Sequence, residues 1–194
     1  MLAASLTGAI LAGGRGRRMG GVDKGWVSWQ GRALVEHVAA RLRPQVGTLW
    51  ISANRNLERY RQLADEVVTD AAAGLPGYEG PLAGMLAVLE RAPTPWVVFV
   101  PCDAPRLPGD LVARLAAASA GRAAAVASSG GALQPVFCLL PRELATAWRA
   151  ALQGGERRPQ ELLRQAAALE VVFDDSAAFT NINEAGPAPG TGDG

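Results

Sequence analysis

Short runs of apolar residues recur along this chain, and their length and composition predict β-strands. Each run is a few residues long and rich in valine, isoleucine and leucine. The runs lie at residues 6–12, 46–52, 66–69, 96–100, 123–127, 133–139 and 170–173. The early runs are continuously apolar instead of alternating with polar residues, which indicates strands buried on both faces of a mainly parallel sheet.

Between these runs, apolar residues repeat at the three- and four-residue spacing of amphipathic helices. The helical segments lie at residues 33–42, 57–64, 82–91, 108–118, 141–152 and 159–168. Pro108 and Pro141 are predicted to begin two of these helices, because a proline at the first position loses no hydrogen bond. Strands that alternate with helices predict an α/β protein with a three-layer α/β/α, Rossmann-like fold and a mostly parallel sheet.

The chain length limits how many domains this pattern can build. There are 194 residues, of which 49% are hydrophobic, enough for one domain with a large core and too few for two full domains. We predict a single domain over residues 1–185. Residues 186–194 form a tail of proline and glycine that has little to bury, so we expect the tail to be disordered.

The charge balance excludes some classes of partner. Nineteen Lys and Arg nearly cancel 18 Asp and Glu, so the chain offers no broad attraction to nucleic acid or to an anionic membrane. No apolar run approaches the ~20 residues that a membrane-spanning helix needs. The first residues also lack the pattern of a secretory signal. We therefore expect a cytoplasmic protein that binds neither nucleic acid nor membranes.

The chain has few histidines and cysteines that could bind a metal or act as nucleophiles. Its single histidine, His37, lies inside a helical pattern, and Cys102 and Cys138 have no Cys or His at metal-ligand spacing. We expect both cysteines to be reduced core residues. Catalysis is therefore expected to use carboxylates, amines, guanidinium groups and backbone donors.

A segment dense in glycine and positive charge follows the first predicted strand. It reads LAGGRGRRMGGVDKG from Leu11 to Gly25. Glycine lets backbone N–H groups turn toward a bound anion, and Arg or Lys can neutralise a triphosphate. The spacing matches neither the dinucleotide fingerprint nor the P-loop. Its position after a buried strand favours a phosphate-binding loop, and a solvated surface loop is the alternative.

Polar residues also end three other predicted strands, with Asn54, Asp70 and Asp103 each following one of them. The carboxyl ends of parallel strands meet at one edge of a sheet, where ligands bind. Carboxylate oxygens are ligands that Mg²⁺ prefers, so Asp103 is the predicted metal ligand. Each residue alone is equally well explained as a turn former. The three together with the glycine-rich loop favour a binding site.

Five further segments, together with the glycine-rich loop and Asp70, form a combination of motifs that resembles a known family. They are residues 53–55, 80–85, 101–105, 155–158 and 181–183. In combination they resemble the molybdenum cofactor guanylyltransferases, the molybdopterin-guanine dinucleotide biosynthesis protein A family, which add GMP to molybdopterin. The resemblance spans nearly the whole chain and implies a nucleotidyltransferase fold.

The resemblance also implies a reaction and the residues that perform it. GMP would pass from GTP to the terminal phosphate of Mo-molybdopterin with the help of Mg²⁺, giving the guanine dinucleotide cofactor and pyrophosphate. The implied GTP contacts are Leu11, Ala12, Gly13, Lys24, Asn54, Asp70 and Asp103, with Asp103 also holding the metal. The implied catalytic residues are Gly14, Arg18, Lys24 and Asp103. The residues implied near the pterin are Arg157, Arg158, Asn181 and Asn183.

Several alternatives stay open at this point. Arg157 and Arg158 are also explained as a cap for the helix before Pro159, and Asn181 and Asn183 as part of a late turn. Rival activities are a cytidylyltransferase for the same cofactor and a sugar-phosphate nucleotidyltransferase. A non-enzymatic module that binds or carries GTP or the pterin is the third rival. Transient partners implied by the resemblance are cofactor-insertion chaperones and acceptor apoenzymes.

Overall fold

The computed structural model describes residues 3–13, 23–74 and 80–182. Its strands are β1 (Leu6–Leu11), β2 (Ser28–Trp29), β3 (Arg32–Ala33), β4 (Thr48–Ser52), β5 (Glu66–Val68), β6 (Trp96–Pro101), β7 (Ala125–Ser129), β8 (Ala132–Pro141) and β9 (Leu169–Phe173). Its helices are α1 (Leu34–Leu42), α2 (Leu57–Arg61), α3 (Pro81–Arg91), α4 (Leu111–Ser119), α5 (Ala145–Gln153) and α6 (Pro159–Gln165). All seven predicted strands are present, with ends shifted by a few residues.

Seven of the strands form one sheet in the order β5-β4-β1-β6-β8-β7-β9. The pairs β5–β4, β4–β1, β1–β6 and β7–β9 are parallel. In this sheet β8 alone runs antiparallel to both of its neighbours, β6 and β7. The prediction of a mostly parallel sheet is therefore confirmed.

Helices cover both faces of the sheet, because strand side chains alternate between two apolar cores. On one face Ile10 and Val98 belong to the core that includes buried residues of α1, α2 and α4. On the other face Ala9 and Phe99 belong to the core that includes buried residues of α3, α5 and α6. These layers confirm the predicted three-layer α/β/α architecture.

Two predicted helix starts are wrong. Pro141 is the last residue of β8, where it pairs with Trp96. It lies beyond Leu139, the last residue of β8 that pairs with β7. Helix α4 begins at Leu111, after Pro108, and the side chain of Gln45 accepts a hydrogen bond of 3.0 Å from the N–H of Val112 in its first turn. This distant cap satisfies a helix N-terminus that local sequence does not reveal.

The small antiparallel hairpin of β2 and β3 was not predicted from the sequence. Its strands have two residues each, too few to show a periodic pattern. At its tip Gln30 and Gly31 have φ of 50° and 81°, values typical of a two-residue hairpin turn.

The remaining sequence expectations concern the core and the tail. Cys102 and Cys138 are free and buried, as predicted. In the described part of the chain no helix is long and apolar enough to cross a membrane. The proposed tail at residues 186–194 lies outside the described residues, so the single-domain boundary and the disorder of the tail stay predictions.

Candidate active site

The carboxyl ends of four neighbouring parallel strands carry the polar residues predicted to form a site. Gly13 follows β1, Asn54 follows β4, Asp70 follows β5 and Asp103 follows β6. These strands are adjacent in the sheet, so their ends share one edge. The structure therefore brings these residues together as the strand pattern predicted.

Asn54, Asp70 and Gly13 form a hydrogen-bonded cluster at this edge. The Nδ2 of Asn54 donates to Asp70 Oδ2 at 2.7 Å and to the carbonyl oxygen of Gly13 at 3.1 Å. The backbone N–H of Asp70 donates back to Asn54 Oδ1 at 2.9 Å. The hydroxyl of Ser52 donates to Asp70 Oδ1 at 3.3 Å. Both residues are thus fixed in orientation before any ligand arrives.

Burial changes the acidity of Asp70. It raises the pKa of the carboxyl above its usual value of 3.8, and the hydrogen bonds from Asn54 and Ser52 oppose that rise. Loss of hydration disfavours the charged carboxylate more than the hydrogen bonds from these two donors favour it. Keeping Asp70 ionised at the edge of the sheet therefore costs the fold some stability.

Helix α3 approaches this cluster through glycine. A Cβ added to Gly84 would meet the Oγ of Ser52 well inside van der Waals distance, with Asp70 Oδ1 at 3.2 Å. Gly80, just before the helix, has φ of 101°, which favours glycine. The first turn of α3 can therefore lie directly against the strand ends.

Asp103 and Lys24 form an ion pair across the same space. Asp103 is buried, and its Oδ2 is paired with the Nζ of Lys24. Its other oxygen, Oδ1, is buried and has no hydrogen-bond partner among the described residues. A buried carboxylate oxygen without a partner is costly, so this atom is available for a cation.

The backbone of Asp103 is held by a segment near the end of the described chain. The N–H of Ile182 donates to the carbonyl oxygen of Asp103 at 2.8 Å. This bond brings the neighbouring Asn181 into the lining of the site. Asn181 is thus the predicted pterin-side residue that the structure places beside the predicted GTP residues.

A cavity of about 340 Å³ lies among these groups. Its volume is within the range of small-molecule sites, ~300–1,000 Å³. It is lined by Leu11, Ala12, Gly13, Lys24, Ser52, Asp70, Gly80, Pro81, Gly84, Pro101, Cys102, Asp103, Val136 and Asn181. All the residues predicted to contact GTP line it except Asn54, which is bonded to two of the lining residues.

Other predicted residues lie elsewhere or outside the described chain. Arg157 donates from Nη1 to the carbonyl oxygens of Leu152 and Glu156 at 3.0 and 2.7 Å. Arg158 donates from Nε to the carboxylate of Glu156 at 3.3 Å. The bond of Arg157 to Leu152, near the end of α5, fits the alternative of a helix cap. Neither arginine lines the cavity. Gly14, Arg18 and Asn183 lie outside the described residues.

Some residues of the site were missed by sequence reasoning. Ser52 and Gly84 contact Asp70, and Val136 of β8 closes one side of the cavity. Asp23, which directly precedes Lys24, is buried although no role was assigned to it. The position of Asp23 next to the predicted lysine was a usable sequence signal. The presence of Val136 in the site depends on how β8 pairs with β6, which the sequence pattern does not show.

Two larger grooves lie away from the strand ends. One, of about 740 Å³, lies beside the β2–β3 hairpin and has three arginines and three aspartates in its lining. The other, of about 570 Å³, contains Glu90 and Arg149, which bind each other through two hydrogen bonds of 2.7 and 2.8 Å. The smaller cavity is the candidate site because it alone gathers the strand-end residues.

The candidate site has two carboxylates in its lining, Asp70 and Asp103, and Asp103 has the oxygen without a partner among the described residues. Among the described residues no group of three or more His, Cys, Asp or Glu side chains could hold a metal ion. Mg²⁺ is often bound by one or two carboxylates, with water and substrate phosphates supplying the other oxygens. Asp103 therefore fits a cation that binds together with a polyphosphate.

Comparison with known proteins identifies the family. A family model described as the MobA-like NTP transferase domain matches residues 8–171. The chain belongs to this family. A molybdenum cofactor guanylyltransferase from Cupriavidus taiwanensis is 48% identical over 185 residues, covering 92% of each chain. One from Bordetella petrii is 46% identical, again over 92% of each chain. The resemblance inferred from the sequence is confirmed.

Solved structures with a similar fold include proteins named for other reactions. Molybdopterin-guanine dinucleotide biosynthesis protein A from Archaeoglobus fulgidus has a TM-score of 0.71 at 24% identity, covering 91% of this chain and 92% of that one. The 4-diphosphocytidyl-2C-methyl-D-erythritol synthase from Anaerococcus prevotii has a TM-score of 0.72 at 10% identity, covering 92% and 90%. The fold is thus shared by proteins named for different reactions, so the fold alone does not identify the nucleotide.

Proposed function

We propose that this chain transfers GMP from GTP to the terminal phosphate of Mo-molybdopterin, forming the molybdopterin guanine dinucleotide cofactor and pyrophosphate. The names of relatives that are 46% to 48% identical over 92% of the chain support this reaction. The observation that carries the proposal is the ion pair of Lys24 and Asp103 at the edge of a cavity between the strand ends. A cation and a metal-binding anion are what a triphosphate and its metal require.

The nucleoside is proposed to bind on the Gly13 side of the cavity. Asn54 and Asp70 hold each other and the carbonyl oxygen of Gly13, so their remaining hydrogen-bonding capacity has a fixed direction. Fixed polar groups select a ligand because a ligand of the wrong shape leaves them unpaired. Base and ribose recognition are therefore assigned to these residues, with Leu11 and Ala12 lining the same side.

The proposed chemistry needs little covalent help from the protein. An oxygen of the acceptor phosphate attacks the α-phosphorus of GTP, and the bond from that phosphorus to the oxygen of the β-phosphate breaks as pyrophosphate leaves. The attacking phosphate is already an anion at neutral pH, so no general base is required. The protein contributes positioning and charge neutralisation, a role assigned to Lys24 here and, from the sequence, to Gly14 and Arg18.

We also propose that Asp103 holds the magnesium ion. Its Oδ1 is buried without a partner among the described residues, whereas Oδ2 is paired with Lys24. A bound Mg²⁺ would neutralise phosphate charge as it develops on the leaving group. Contacts with cofactor-insertion chaperones or acceptor apoenzymes stay predictions from the resemblance.

The test is pyrophosphate release with Mo-molybdopterin present, compared between GTP and CTP. We expect release with GTP and Mg²⁺ that depends on the acceptor. Release with CTP instead would favour the cytidylyltransferase. Turnover only with a sugar 1-phosphate as acceptor would favour the sugar-phosphate nucleotidyltransferase. Tight GTP binding with no release, although acceptor is supplied, would favour a binding module and overturn the proposal.

A further inference from the structure

Asp23 is a buried carboxylate for which the reaction above gives no role. It directly precedes Lys24 and is 8% exposed. Removing a charge from water is costly unless partners replace the lost hydration. Both oxygens have such partners, since Oδ1 accepts a hydrogen bond from the Tyr60 hydroxyl at 2.7 Å and Oδ2 accepts one from Asn56 Nδ2 at 2.8 Å. The Nε of Arg55 lies 3.9 Å from Oδ2 and adds an opposite charge.

These three partners all belong to one short segment of the chain at α2. Asn56 is the residue before the helix, and Tyr60 lies within it. Asp23 stands just before the 3-10 turn Lys24–Trp26, yet its side chain makes no capping bond to that turn. The side chain instead crosses to α2. Asp23 therefore attaches the turn to a neighbouring element and does not serve the turn alone.

The turn packs closely against Tyr60 of α2. A Cβ added to Gly25 would lie 2.5 Å from the Tyr60 hydroxyl oxygen. The ring of Trp26 packs on Tyr60 with centroids 5.0 Å apart. The backbone N–H of Trp26 donates to the carbonyl oxygen of Asp23 at 3.0 Å. Residues on both sides of Lys24 are thus fixed against the same tyrosine.

Tyr60 is suited to act as a permanent donor. Burial of its ring, together with the hydrogen bond to Asp23, raises the pKa of its hydroxyl well above the usual range. The hydroxyl therefore keeps its proton throughout the pH range of enzyme assays.

We propose that Asp23 is a positioning residue that, bound to Tyr60 and Asn56, holds Lys24 facing Asp103. The proposal rests on the proposed function, in which Lys24 neutralises the triphosphate and the leaving pyrophosphate. Asp23 and Lys24 are adjacent but diverge, one toward α2 and the other toward the end of β6. Precise placement of a charged group is what lowers the barrier, and a displacement of about 1 Å can cost ~10²-fold in rate.

The test is the variant Tyr60→Phe, which removes the hydrogen bond to Asp23 and keeps the ring. We expect kcat to fall roughly tenfold to 100-fold, with the KM for GTP within about twofold of wild type, because Lys24 acts on charge that develops in the transition state. In the Lys24→Ala background the same change should have almost no further effect, because the residue that it positions is gone.

The matched control is Thr7→Val. The hydroxyls of Thr7 and Thr94 share a partly buried hydrogen bond of 2.7 Å at the other end of β1. This variant loses a bond of the same length and should turn over normally. Asn56→Gly is a second test, since φ of 51° at that position suits glycine and the change frees the other oxygen of Asp23. Each variant is assayed below its own melting temperature.

The outcomes separate the two proposals. Wild type that releases no pyrophosphate from GTP and acceptor would overturn the function and this inference together. An active wild type in which Tyr60→Phe or Asn56→Gly keeps a normal kcat would overturn the positioning role alone. An equal loss of rate with and without Lys24 would also overturn it, because the effect would then be structural.

Discussion

Lys24 and Asp103 place opposite charges in the same cavity. Removing either charge should lower the rate of the reaction more than the stability of the fold. Asp103→Asn keeps the size of the side chain and removes the charge proposed to hold the metal. We expect kcat to fall ~10²–10³-fold, and a similar loss for Lys24→Ala, as for other preorganised electrostatic groups. Pyrophosphate release at saturating GTP and Mg²⁺ measures the loss.

A matched control for these charge changes is Asp65→Asn. Asp65 pairs with Arg43 at 3.1 Å, and both side chains are about half exposed. Asp65 directly precedes β5, so it lies at the amino ends of the parallel strands, whereas the site lies at their carboxyl ends. Turnover should be unchanged in this variant. Near-normal rates in Asp103→Asn or Lys24→Ala would contradict the assigned roles.

Removing the charge of Asp70 should stabilise the fold and weaken GTP binding. Because burial raises the pKa of its carboxyl, the ionised form opposes folding at neutral pH, and this cost disappears as pH falls and the carboxyl is protonated. We expect Asp70→Asn to raise the melting temperature at pH 7 and to weaken GTP binding about tenfold or more, through loss of a charged hydrogen-bonding group. Thermal unfolding and titration calorimetry measure the two effects. A variant that is less stable at pH 7 would contradict the first.

At the scale of elements, the approach of α3 to the strand ends depends on one small residue. Gly84→Ala would improve helix propensity by ~1 kcal/mol, but its Cβ would overlap the Ser52 hydroxyl. We expect a net loss of about 1–3 kcal/mol in the free energy of unfolding, as for other overpacked sites, measured by urea denaturation.

Two further variants isolate the cause of that loss. Gly109 has open space around its Cβ position, so Gly109→Ala should leave stability nearly unchanged. Adding Ser52→Ala to Gly84→Ala should recover part of the loss, because it removes the overlapping oxygen. If the double variant is no more stable than Gly84→Ala, the contact with Ser52 is not the cause.

The elements were predicted well where the signal is local. Runs such as 96–100 are apolar because both faces of the strand are covered, and this can be read without knowing its neighbours. The direction of β8 was not predicted, although Gly130 and Gly131, with φ of 59° and 76°, form the tight turn that makes it antiparallel to β7. A pair of glycines between two strand patterns was a usable hairpin signal.

The strand ends account for part of the predicted site, and Lys24 and Asn181 were assigned from the glycine-rich loop and the family resemblance. Asn54, Asp70 and Asp103 meet because parallel strands end at one edge. The contact of Asp23 with Tyr60 joins residues far apart in sequence. It depends on how the irregular segment at Asp23 packs against α2, which the periodicity of the sequence does not show. Arg157 and Arg158 were assigned by resemblance, and their observed bonds include one from Arg157 to Leu152 in α5 and one from Arg158 to Glu156 in the turn before α6.

At the scale of the whole molecule, the two buried thiols should make global stability depend on alkaline pH. Burial raises the pKa of the Cys138 thiol above its ordinary value of 9.0. The folded state therefore keeps the proton while the unfolded state loses it, so stability that is complete below pH 9 is lost as pH rises through the folded pKa. Cys138 should contribute a fall of about 1 kcal/mol per pH unit between pH 9.5 and 10.5.

The variant Cys138→Ala measures that contribution. Its overall stability should be lower at every pH because a side chain in the core is truncated. The fall in its free energy of unfolding between pH 9.5 and 10.5, followed by urea denaturation, should be shallower than that of the wild type. Parallel curves would show that ionisation of this thiol does not contribute.

The bond from Ile182 to the carbonyl oxygen of Asp103 has a consequence for biosynthesis. The ribosome would release β1, β4, β5 and β6 well before it reaches residue 182. A nascent chain could therefore assemble β1, β4, β5 and β6 while its principal carboxylate still lacked this tether. Competence for nucleotidyl transfer would therefore be acquired only once the segment at residue 182 has joined these four strands.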